Sequence, residues 1–192
     1  MLSARTSNVS SEIVLHFGNF LDAGKVFATG ESVTQAIDED KRLLFSRYHT
    51  AGHVLGAAVR NVVAEHVEGW KELKASHIPE MAACEFSGSI EGKWKDAFQS
   101  KVDEIIEADL PVTVKWWDDD EFRLNGLEDV LPDRQALGVP ADEKFRVVQI
   151  GQADVYPCGG THVDSSKLCG ETTVKKISRS KGNSRVGYSL VH

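Results

Sequence analysis

Two short stretches, far apart in the chain, carry side chains suited to holding a metal ion. In Tyr48-His49-Thr50-Ala51-Gly52-His53 two histidines stand four residues apart, and Cys158-Gly159-Gly160-Thr161-His162 repeats that interval with a thiol and an imidazole. On a helix, positions i and i+4 project from the same face, so His49 and His53 would point together. In the second stretch, paired glycines give a loop that can wrap an ion. Three imidazoles and one thiolate form a borderline-to-soft ligand set, and zinc is the ion that best suits it. The chain has 7 histidines, so an isolated His-x-x-x-His means little. Its pairing with a glycine-flanked Cys-to-His loop is what marks these four residues.

The elements that must bring them together follow from hydrophobic periodicity. Leu44, Tyr48, Ala51, Leu55, Ala58, Val59 and Val62 recur at three- and four-residue steps, which predicts a helix from Lys41 to His66 capped by Asp38 or Asp40. His49 and His53 lie along the edge of that stripe. A second helix is expected from Glu91 to Ala108, with Trp94, Phe98, Val102, Ile105 and Ile106 as its apolar face. Residues 12–37 read as short strands, at Glu12–Phe17, Phe20–Val26 and Glu31–Ile37. Further strands are expected at Met81–Phe86, Val112–Trp117 and Phe145–Ile150, the last delivering the chain to the Cys158 loop. Glu171–Ser178 and Ser184–Val191 read as a terminal hairpin turning at 179–183.

Alternation with Glu85 turns Cys84 toward the core, and Trp116 and Trp117 must point to opposite sheet faces. The acids Asp118 to Glu121 read as a solvated turn rather than a magnesium site. The sum is an α+β fold: an antiparallel sheet against two helices, with zinc between the main helix and the late glycine-rich loop.

Composition narrows the function classes. Of 192 residues, 41% are hydrophobic and 27% charged, the balance of a soluble globular protein, and no apolar run is long enough to suggest a membrane span. Three cysteines cannot all pair, which suits a reducing compartment and makes the cytoplasm the expected location. A net charge of −7 argues against a protein that coats DNA or RNA through bulk positive charge. The charges are uneven, however: Lys175, Lys176, Arg179, Lys181 and Arg185 follow one another without an intervening acid, just beyond the Cys158 loop.

The stretch HTAGHVLGAAV (49–59), followed by PCGGTHVDSSKLCGETTVKKISRSKGNSRVGYSL (157–190), resembles the editing domain of alanyl-tRNA synthetase and the free-standing editing relatives called AlaX. More distantly it is similar to the editing domain of threonyl-tRNA synthetase. The resemblance runs from about Ile13 to the C-terminus. It implies zinc ligands at His49, His53, Cys158 and His162, and hydrolysis in trans of the ester joining serine or glycine to the tRNA for alanine. Serine on the tRNA for threonine is the competing substrate. It also implies that Lys176, Arg179, Lys181 and Arg185, on a basic hairpin, neutralise phosphates of the tRNA acceptor end.

An aminoacyl ester is reactive, so the site mainly positions it and supplies water. The backbone of Gly159 and Gly160 is bare enough to approach the ester, and Thr50 and Thr161 are candidates for polar contact. Residues 1–38 are expected to be a β segment, the remnant of the glycine-rich barrel with which free-standing relatives often begin, and 39–192 the editing domain. Two other classes fit the same residues: a zinc-stabilised tRNA-binding module without hydrolysis, and a zinc hydrolase of a small ester.

Overall fold

The computed structural model describes residues 3–6, 14–22 and 24–191. They fall into two units, one drawn from Met1–Ile37 with Asp133–Ala141, the other from Asp38–Pro132 with Asp142–His192. The first unit holds a two-stranded antiparallel ribbon, β1 (Ser3–Thr6) with β2 (Val14–Phe17), and one helical turn, α4 (Arg134–Leu137). The second strand lies inside the expected Glu12–Phe17 segment, of which residues 12 and 13 lie outside the described residues. The strands expected at 20–26 and 31–37 do not form among the described residues. Their large apolar side chains (Phe20, Leu21, Val26, Val33, Ile37) are exposed, and backbone turns from Asp22 to Lys25 and from Ala28 to Glu31 interrupt the run.

The second unit is α+β, and all its strand pairs are antiparallel. Helix α1 (Glu39–Val63) starts at Asp38, whose side chain accepts from the Lys41 N–H, with Glu39 and Asp40 placed favourably for the helix dipole. It ends before His66, which sits in the turn beyond. Its stripe of Tyr48, Ala51, Leu55, Ala58 and Val59 is fully packed. Helix α2 (Lys95–Glu107) begins later than its apolar pattern suggests, because Gly92–Trp94 forms a 3-10 turn ahead of it. Phe98, Val102 and Ile105 bury its inner face. A fully buried side chain of this kind contributes about 1.5–3 kcal/mol.

Instead of one sheet there are two in this unit. A four-stranded sheet runs in the order β3 (Lys71–Ser76), β4 (Ala83–Ser87), β9 (Asn183–Leu190), β8 (Thr172–Ser180). A three-stranded sheet runs β5 (Val112–Trp117), β6 (Phe145–Ile150), β7 (Asp154–Pro157). Strands β3 and β7 are the ones the sequence did not announce. KELKAS is a polar edge strand, and DVYP is short and contains Asp and Pro, both poor strand formers. The β8–β9 hairpin turns tightly on Lys181 and Gly182, both with positive φ (51° and 82°), the type I′ geometry that suits strand twist. Cys84 is buried, and Trp117 is 7% exposed while Trp116 on the opposite face is 58% exposed.

The acidic run is a helix start, not an open turn. Asp118 and Glu121 form a reciprocal capping box for α3 (Asp119–Leu124), and Lys144 pairs with both carboxylates. Phe122, the buried residue of α3, packs edge-on against Trp117 and Phe145. Among the described residues, no helix is long and apolar enough to cross a membrane.

Candidate metal centre

Helix α1 and the loop after β7 meet at one point. The ligand atoms of His49, His53, Cys158 and His162 all lie within 4.8 Å of one another. Cys158 Sγ is 3.3 Å from His49 Nε2 and 3.4 Å from His162 Nε2. Tetrahedral bonds of about 2.0–2.3 Å place neighbouring sulfur and nitrogen ligands about 3.5 Å apart, so the donor set fits zinc in number, chemistry and spacing.

Hydrogen bonds on the far side of two rings fix which nitrogen faces inward. Thr50 Oγ1 donates to the Ser46 carbonyl at 3.0 Å, so toward His162 it accepts; His162 Nδ1 therefore carries a proton at 3.1 Å, which leaves Nε2 facing the cluster. His53 Nδ1 lies 3.1 Å from Asp154 Oδ2, leaving His53 Nε2 for the centre. The other carboxylate oxygen accepts from Arg60 Nη1 at 2.9 Å, and Arg60 reaches on to Glu72 at 3.3 Å. Such partners orient ligand rings and raise their basicity. His49 is pinned differently: Gly160 lies so close that a Cβ there would overlap the imidazole.

Charge follows geometry. The Cys158 thiol is brought down to about 3: burial opposes ionisation, but bonds from His162, His49 and His53 and from the Gly160 N–H outweigh it. His53 is raised to about 9, because Asp154 and the Cys158 thiolate overcome the cost of burying its charge. Burial also works against Asp154, yet His53 and Arg60 hold its carboxyl below the usual range. A cation at this point would take the place of the ring protons that otherwise balance the thiolate.

Beside the cluster lies a cavity of about 160 Å³, lined by His49, Gly52, His53, Glu72, Lys74, Ala75, His77, Tyr156, Pro157 and Cys158. Of the other candidates, Thr50 is fully buried and faces His162, while the exposed Thr161 accepts from the Ser46 hydroxyl at 3.0 Å. Gly159 is open, with nothing near its Cα face. Lys176, Arg179 and Lys181 are exposed along β8 and its turn, with Arg179 reaching Ser89 at 3.4 Å. Arg185 is partly committed, donating to the Met81 carbonyl at 2.8 Å and lying 3.7 Å from a Glu85 oxygen.

Asp154, Arg60, Glu72, His77 and Tyr188 are site residues that sequence reasoning missed. A signal existed for two of them. Asp154, Tyr156 and Cys158 alternate at strand period, so they share a face, and Arg60 follows His53 by two helical turns. Nothing local marks Glu72 or His77, which sit on or after an edge strand that was not foreseen.

Residues 145–186, which include Cys158 and His162, match the family model described as the threonyl and alanyl tRNA synthetase second additional domain. Across 88% of its length the chain is 27% identical to the alanyl-tRNA editing protein AlaX-L of Pyrococcus horikoshii. It is 28% identical over 92% of its length to an alanine–tRNA ligase of Leptospira borgpetersenii, and 29% identical over 85% to that of Halorubrum lacusprofundi. It spans 39% of the first relative and 18% and 17% of the ligases. The late half of the metal cluster thus falls within a recognised domain, and most of the chain is similar in sequence to an AlaX-type alanyl-tRNA editing protein and to alanine–tRNA ligases.

Proposed function

We propose that this chain hydrolyses the ester bond of mischarged aminoacyl-tRNA, with serine or glycine on the tRNA for alanine as substrate and zinc held by His49, His53, Cys158 and His162. The observation that carries this reading is the convergence of those four side chains at one point, three of them (His49, His53 and Cys158) on the wall of a cavity. Zinc there would supply Lewis acidity and fixed positive charge beside the ester. The chain's own groups do the rest. Thr50 and Asp154 hold two ligand rings in one tautomer. The Gly160 N–H already serves the Cys158 sulfur, and Gly159, with open space where a side chain would stand, lets an ester approach the loop backbone closely. Water adds to the carbonyl carbon, the bond to the ribose oxygen breaks, and that oxygen leaves with a proton; the products are the free amino acid and uncharged tRNA.

The partner is the acceptor end of tRNA, met by Lys176, Arg179, Lys181 and Arg185 on the β8–β9 hairpin. Contacts of this kind fix position without reading sequence. A cytoplasmic location accords with the substrate.

Deacylation of seryl- and glycyl-tRNA for alanine, beside seryl-tRNA for threonine, tests the reading. Release of serine or glycine that stops with chelator and with His53→Ala is the expected result. Binding of tRNA with the esters left intact would overturn it in favour of a zinc-stabilised tRNA-binding module. Turnover of small esters but not of charged tRNA would overturn it in favour of a general hydrolase.

A further inference from the structure

His77 stands next to the four-residue cluster without belonging to it. Its ring lies 4.5 Å from that of His49, centroid to centroid, and it lines the same cavity. What sets its chemistry is a chain of hydrogen bonds through the core. The Tyr48 carbonyl can only accept, so the Tyr188 hydroxyl at 2.8 Å donates to it. That leaves the Tyr188 oxygen to accept from His77 Nδ1, also at 2.8 Å. His77 Nδ1 therefore carries a proton; burial, with His49 and His53 alongside, disfavours a second one, and Nε2 has no partner among the described residues. Tyr188 is 2% exposed and cannot turn away to water. Gly52 makes the approach possible, since a Cβ there would overlap the Nδ1–Cε1 edge of the ring.

We propose that His77 determines specificity in this site: its Nε2 accepts a hydrogen bond from the side-chain hydroxyl of a seryl ester. The inference rests on the deacylase reading above. A seryl hydroxyl oxygen is three bonds from the ester carbonyl carbon, so an ester held at the cluster places it within reach of a ring packed on His49. Alanine offers no donor at that position, and neither does glycine. Of the other polar side chains on the cavity wall, Lys74 offers donors only, one Glu72 oxygen is tied to Arg60, and Tyr156 packs edge-on against His53, the ligand ring farther from His77 than His49 is. His77 supplies a fixed neutral acceptor, which suits an uncharged hydroxyl.

The test compares seryl- and glycyl-tRNA for alanine with His77→Phe, His77→Gln and Tyr188→Phe, with zinc content measured for each protein. In His77→Phe, kcat/KM for the seryl substrate should fall about tenfold or more, the size of one lost hydrogen bond to an otherwise buried group, while the glycyl value changes little. His77→Gln, which keeps an acceptor, should recover part of the loss. Tyr188→Phe, which unlocks the tautomer, should lower the seryl-to-glycyl ratio without emptying the metal site.

A measurement independent of turnover is the ¹⁵N spectrum of His77. It should report a proton on Nδ1, and an Nε2 resonance that moves on adding an amide-linked seryl adenosine but not its glycyl counterpart. Equal losses on both esters would show that His77 serves a feature common to them and would overturn the proposal, as would an unchanged ratio or an Nε2-protonated ring. A wild-type protein inactive on every charged tRNA would instead strike the parent reading, and this one with it.

Discussion

Thr50 Oγ1 lies 3.1 Å from His162 Nδ1, and the direction of that hydrogen bond is forced, because the hydroxyl proton is already given to the Ser46 carbonyl. The same oxygen also accepts from the Val163 N–H at 3.2 Å. Thr50 is thus buried behind a candidate ligand, with its hydroxyl bonded entirely within the fold. Thr50→Val, nearly the same shape, strands two buried donors and should cost about 1–3 kcal/mol in stability. It should also weaken zinc about 10–100-fold, whereas Thr50→Ser keeps both effects small. Competition with a chromophoric chelator, beside a denaturant titration, reads the two quantities separately.

Asp154 does for His53 what Thr50 does for His162, with a charge added. Asp154→Asn keeps an oxygen that can accept from His53 Nδ1 but loses the anion that Arg60 neutralises. Asp154→Ala loses both and leaves Arg60 with Glu72 alone. The expected order of zinc affinity is wild type, then Asn, then Ala, with the Ala variant about 10–100-fold weaker than wild type. An Ala variant that holds zinc as tightly as wild type would remove the supporting role assigned to this carboxylate.

Much of this centre was legible in the sequence because its parts are local. The interval from His49 to His53 is one helical turn, and the helix shows itself through a stripe that continues from Leu44 to Val62. The interval from Cys158 to His162 sits in a glycine loop that follows an obvious strand, Phe145–Ile150. What could not be read is what arrives from elsewhere. His77 reaches the centre because β3 pairs with β4, and Tyr188 because β9 lies on the other side of β4. Strand β3 is a polar edge whose pairing partner, not its composition, makes it a strand. The apolar residues near the N-terminus misled in the opposite direction: Phe20, Val26 and Val33 look like strand cores but stay exposed.

The two glycines of the loop are not equivalent, although they are adjacent. A Cβ at Gly160 would overlap the His49 imidazole, while one at Gly159 meets nothing. Gly160→Ala should displace His49 or the loop and lower zinc content in purified protein. Gly159→Ala should leave it unchanged. Equal zinc in both proteins would show that the loop gives way without cost and that Gly160 is not what holds His49 in register.

The three cysteines should separate cleanly in an alkylation experiment. Cys158 is half-buried and strongly acidified by the surrounding imidazoles and the Gly160 amide, despite the opposing cost of burial. Burial pushes the Cys169 thiol up to about 12, and burial together with the Glu72 and Asp154 charges pushes Cys84 higher still. Thiolates, not thiols, react with iodoacetamide. Chelator-treated protein at neutral pH should therefore take up one label, at Cys158, and zinc-loaded protein should take up none. Peptide mass spectrometry identifies the site. Rapid labelling of Cys158 at saturating zinc would show that its sulfur is not engaged by the metal.

The basic hairpin offers a graded test of RNA contact, because its four cations are differently committed. Lys176 and Lys181 are exposed on β8 and at its turn, Arg179 reaches Ser89, and Arg185 is held by the Met81 carbonyl and Glu85. Each phosphate neutralised by a lysine releases counterions, which lowers the slope of log K against log salt by about 0.7–0.9. Lys176→Ala and Lys181→Ala should each flatten the slope by about one such step while leaving thermal stability nearly unchanged. Arg185→Ala should change the slope less and the stability more, since it strands the Met81 carbonyl and leaves Glu85 with Lys74 alone. The reverse ranking would assign the acceptor end to the strand face that carries Arg185 rather than to the hairpin tip.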